Sequence, residues 1–120
     1  MLLFGSISKY SAYEEMFNIL RRKGITTAQM HLLLILASNA GGEWSKMEDL
    51  RKYFQKKSRS NRPVAHSTVS RAIANISTGK NRYGKEAHGF VDKKDGEDER
   101  EQLYRINKRG LDFIDRSLNI

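Results

Sequence analysis

The sequence predicts a mainly α-helical chain with one small β-hairpin, in the order α-α-α-α-β-β-α. Three observations carry that expectation. Apolar residues recur at helical spacing in four segments before residue 77. Start and stop signals fall between them: Thr26 with Gln29, Ser45 with Glu48, Gly24, and Gly41 with Gly42. The stretch GFVDKKDGEDEREQLYRINKRG, residues 89–110, then sets two strand-like runs around an acidic tip.

The first helix is read from SKYSAYEEMFNILRRKG, residues 8–24. Tyr13, Phe17 and Leu20 at i, i+4 and i+7, with Met16 beside them, make one apolar stripe that ends at Gly24. ITTAQM opens the second helix with a capping box. Met30, Leu32, Leu33, Leu34, Ile35 and Leu36 make that helix apolar nearly all round, so it belongs at the centre of the core. SKMEDL opens the third, with Met47, Leu50 and Phe54 inward and Arg51 and Lys52 outward. QKKSRSNRPV carries the one proline and reads as a basic loop. In HSTVSRAIANIS, Val69, Ile73 and Ile76 form a narrow buried stripe that leaves Ser67, Thr68, Ser70, Arg71 and Asn75 outside. TGKNRYGKEAHG is a second basic loop, and after the hairpin Asn107 caps a final helix of about 18 Å carrying Leu111, Phe113 and Ile114.

At 120 residues the chain is expected to be a single domain, residues 1–120. The recognition region spans about 45–107, and helices at 8–23 and 108–119 serve as packing or dimer elements. The absence of cysteine excludes disulfides and thiolate metal sites and suits a cytoplasmic setting. The longest apolar run, Met30–Ala37 broken by His31, is far below the roughly 18 residues that span a bilayer, so a soluble protein is expected. Charge is segregated. Arg51 to Lys85 holds ten basic residues and no acid, whereas the rest holds twelve basic and fourteen acidic, a net of −2. Excess positive charge in one continuous third points to a polyanionic partner.

Capped helix, basic loop, slim helix and hairpin together are the layout of a winged helix-turn-helix, whose second paired helix enters the major groove. The outer face of HSTVSRAIANI suits that groove. Ser67, Thr68 and Ser70 offer hydroxyls, Arg71 a bidentate contact to guanine and Asn75 one to adenine. Lys56, Lys57, Arg59, Arg62, His66, Lys80, Arg82 and Lys85 are the phosphate-binding candidates, with Lys93 and Lys94 on the hairpin.

HSTVSRAIANI, the hairpin stretch, ITTAQMHLLLILA and SKMEDLRKYF together resemble the multiple-antibiotic-resistance regulator (MarR) family of winged-helix transcription factors, over roughly residues 8–118. The hairpin is the most specific part of the likeness. The resemblance implies a tip arginine, Arg100, in the minor groove, steered by Asp98. It leaves Asp95, Glu97, Glu99 and Glu101 without a role. Two features depart from the family. The loops Gln55–Pro63 and Ser77–His88 are longer than usual, and the last helix is short for a dimerisation element. Either the first helix and the apolar N-terminus make a homodimer, or the protein is a monomer.

Other signals are set aside. GKNRYGK, Gly79 to Lys85, matches part of a phosphate-binding loop, but Glu86 stands where a magnesium-holding Ser or Thr belongs. His31, His66 and His88 lack metal spacing, no catalytic pattern appears, and no cofactor is implied. Trp44 reads as a packing anchor. The expectation is a non-enzymatic, nucleoid-associated regulator of double-stranded DNA. Its rivals are a module docking on transcription machinery, with RNA polymerase or another regulator as partner, and a non-specific single-strand or RNA binder.

Overall fold

The computed structural model describes residues 2–38, 43–58, 65–79, 86–98 and 100–118, with side chains for all except 2–10, 12, 57, 58 and 66. Among the described residues there are five helices and three strands. They run α1 (Leu2–Lys23), α2 (Thr27–Ser38), β1 (Ser45–Lys46), α3 (Met47–Ser58), α4 (His66–Ile76), β2 (Val91–Asp95), β3 (Gln102–Ile106) and α5 (Lys108–Leu118). The sheet is antiparallel, in the order β1-β3-β2.

The helix boundaries follow local chemistry. α1 ends where Gly24 adopts φ +69°, with Gly24 N donating to the Arg21 carbonyl at 3.1 Å and Ile25 N to the Leu20 carbonyl at 2.8 Å. Leu20 and Ile25 are both buried, which completes a Schellman stop with its apolar contact. The box before α2 is reciprocal: Thr26 N donates to Gln29 Oε1 at 3.0 Å, and Gln29 N to Thr26 Oγ1 at 3.2 Å. α2 touches α3, α4, α5 and β3, as its all-round apolar character predicts. Asn107 seats α5, its Oδ1 accepting from Gly110 N at 3.0 Å while its Nδ2 donates to the Gly89 carbonyl and to Asp92 Oδ1.

Four expectations are corrected. Ser45 does not cap α3. It pairs with Tyr104 as part of β1, and the chain passes from strand into helix between Lys46 and Met47. Because α3 starts at Met47, the N-cap position falls on Lys46, one residue past Ser45, and the predicted hairpin becomes a three-stranded sheet. Secondly, α3 continues through Gln55 to Ser58, into the stretch read as loop. Gln and Lys are good helix formers, and buried Leu50 and Phe54 hold the inner face on which the helix propagates. Thirdly, Tyr13 and Phe17 of α1 stand about half exposed, whereas Met16 and Leu20 face the core. The apolar arc of α1 is wider than the surface α5 covers. Arg51, expected outside, is half-buried, and its Nε lacks a hydrogen-bond partner among the described residues.

Candidate nucleic-acid interface

The short helix α4 is divided lengthwise by burial. Val69, Ala72, Ile73 and Ile76 are buried against α2 and α3, whereas Ser67, Thr68 and Arg71 are exposed. Ser70 and Asn75 are half-buried on its flanks. Its first turn holds no acid and its N-terminus makes no side-chain cap, although Thr68 N already donates to the Ala65 carbonyl at 3.0 Å. Arg71 makes no ion pair among the described residues, where the pairs are Lys46–Glu101 and Lys52–Glu48.

The end of α4 is fixed to the sheet by backbone bonds. Ser77 bridges Val91 in parallel and its hydroxyl donates to the Ile73 carbonyl. His88 N donates to the Asn75 carbonyl at 2.9 Å, and Phe90 N to the Ile76 carbonyl at 2.8 Å. Ala87 N closes on the Gly79 carbonyl at 2.9 Å, which pins the base of the second basic loop beside α4. His88 stacks on Phe90 at 5.5 Å and Phe90 on Phe113 at 4.7 Å, a packing role for that histidine. His31 lies half-buried against Phe54 at 4.9 Å, at the core edge.

Strand alternation separates the two hairpin lysines. Lys93 opposes Tyr104, and its Nζ comes within 3.8 Å of where a side chain on Gly79 would begin, at the end of α4. Lys94 takes the other face, with Nζ 4.5 Å from the Trp44 ring centroid. At the tip, Asp98 Oδ1 accepts from the backbone N of Arg100 at 3.2 Å, and the Asp98 carbonyl accepts from Glu101 N at 2.9 Å. The Asp98 carboxylate thus shapes the turn that carries Arg100 and makes no ion pair with its guanidinium. Arg100 stays exposed over an open hollow of about 450 Å³ between the tip and the start of α3.

One of the unexplained acids has a structural role that sequence reading missed. Glu101 pairs with Lys46 at 3.1 Å, tying the hairpin to β1, and this hydrogen bond raises the Lys46 pKa above its ordinary 10.5. The available signal was position, since Glu101 ends the acidic run where β3 begins. Lys56 is exposed on the last turns of α3. Arg59, Arg62, Lys80, Arg82 and Lys85 lie outside the described residues, as do the side chains of Lys57 and His66. Among the described residues no helix is long and apolar enough to cross a membrane, and no three His, Cys, Asp or Glu residues gather as metal ligands. Compared with protein-family models, curated proteins and solved structures, the chain matches none.

Proposed function

We propose that this chain is a winged helix-turn-helix regulator of transcription, of MarR-like type, that binds double-stranded DNA. In this reading α4 enters the major groove and the β2–β3 hairpin is the wing at the flanking minor groove. The order from α2 to β3 supports it: helix, strand, helix, helix, strand, strand, with the first short strand beside the last. The observation that carries it is the lengthwise division of α4, a slim polar face backed by a buried apolar one.

Arg71 then reads guanine, and Ser67 and Thr68 bond base edges or phosphate, with Ser70 and Asn75 on the flanks. Lys56 and Lys93 hold backbone phosphates, joined by the cations of the two basic stretches that flank α4 in sequence. Arg100 enters the minor groove from a turn built by Asp98. Lys94, turned toward Trp44, has no phosphate in this arrangement. Such a protein works in the cytoplasm on the nucleoid.

Selection of bound sequences from a random duplex pool, followed by fluorescence anisotropy, tests the proposal. The expected result is an enriched motif bound more tightly as duplex than as single strand. No enrichment, with equal affinity for either form, would sink it and favour non-specific binding.

A further inference from the structure

We propose that the outward face of the three-stranded sheet, centred on Trp44, Lys94 and Arg105, docks an acidic peptide segment of a partner protein. The register sends Val91, Tyr104 and Ile106 into the core, and alternation turns Lys94 and Arg105 to the opposite face. There the Lys94 ammonium lies 4.5 Å and the Arg105 guanidinium carbon 4.4 Å from the centroid of the half-buried Trp44 ring. Two cations gathered at one ring repel each other. Neither belongs to an ion pair among the described residues. Asp92, which opposes Arg105 across the ladder, instead accepts from Asn107 Nδ2 at 3.0 Å. A guanidinium held over an aromatic ring keeps N–H donors free for an oxyanion, and the ring fixes its direction.

The same face supplies an apolar contact. From Arg105 and Asp92, whose carboxylate is engaged by Asn107, an open hollow of about 520 Å³ runs past Ala37 and Lys108 to Leu111, which is 44 % exposed. Charge and polarity together select the occupant: carboxylates over Lys94 and Arg105, and an apolar side chain against Ala37 and Leu111. A duplex supplies the anions but no apolar side chain. Lys93, on the α4 side of the hairpin, points away from this surface, so the site stands whether or not α4 binds DNA.

Trp44 is the only tryptophan in the chain, so its fluorescence reports the site directly. The full chain is titrated with a synthetic peptide of alternating glutamate and leucine, and with the same peptide carrying glutamine for glutamate. The expected result is a saturable change with the glutamate peptide. Affinity should be roughly tenfold or more weaker for the glutamine peptide and for the Lys94→Ala/Arg105→Ala variant. If that variant does not fold, Lys94→Gln alone, at an exposed position, gives the comparison. Equal response to both peptides, or none, overturns the proposal. So does displacement of bound peptide by duplex DNA, which would assign this face to nucleic acid.

Discussion

Arg71 and Lys56 are both exposed cations, and the proposed interface gives them different work. Arg71 projects from the middle of the polar face of α4, where a guanidinium can meet the two acceptors of a guanine edge. Arg71→Ala should therefore flatten the difference between preferred and scrambled duplexes, measured by anisotropy. Lys56→Ala with Lys57→Ala should weaken every duplex alike. Equal loss on all sequences from both changes would show that α4 does not read bases. Tyr104 supplies a second test at this scale. Its phenol is buried, donates to Gln102 Oε1 at 3.2 Å, and is held above its ordinary pKa of 10.0 by burial. The unfolded chain then ionises first, so its contribution is complete below pH 10.0 and is lost as pH rises through the folded value. Lys46 acts in the same alkaline direction above 10.5. Urea unfolding across that range should show stability falling with pH, and Tyr104→Phe should flatten the part of the slope that survives Lys46→Met. Neither partner of these two groups was legible in the sequence, because burial and the reach of Glu101 arise only on folding.

Among the elements, α5 makes one very close approach, at Gly110. A Cβ added at Gly110 would lie 2.5 Å from the Phe90 carbonyl oxygen and 2.7 Å from Ile106 Cγ1. The first of these is backbone and cannot swing aside. Gly110→Ala should thus destabilise the protein by about 1–3 kcal/mol, through overpacking, even though alanine is the better helix former. Chemical denaturation gives the value, and an unchanged midpoint would refute so close an approach. Element starts and stops were legible where they depend on neighbours in sequence: Gly24, Thr26 with Gln29, and Asn107 all act within a few residues. β1 was not. Two residues have no periodicity to read, and Ser45 is a strand only because Tyr104 lies opposite. The exposure of Tyr13 and Phe17 was hidden for the complementary reason, since spacing shows that an arc is apolar but not how much of it a neighbour covers.

For the molecule as a whole, duplex binding through this interface should be steeply salt-dependent. If about six cations meet phosphate, the slope of log affinity against log salt should be roughly −5, and a flat titration would remove the electrostatic basis of the proposal. Residue order alone determined that the excess positive charge lies in one acid-free third, that a helix with a narrow apolar stripe sits inside it, and that an acidic hairpin follows. Those are matters of composition and short-range periodicity, read without any tertiary contact. Folding decided how the charges are used. It paired Glu101 with Lys46, turned Lys93 and Lys94 to opposite faces, and brought Lys94 and Arg105 to Trp44. The lysines' faces follow from strand alternation once the hairpin forms, whereas the contacts of Glu101, Lys94 and Arg105 join the hairpin to Trp44 and Lys46, far away in the chain, through the β1–β3 pairing.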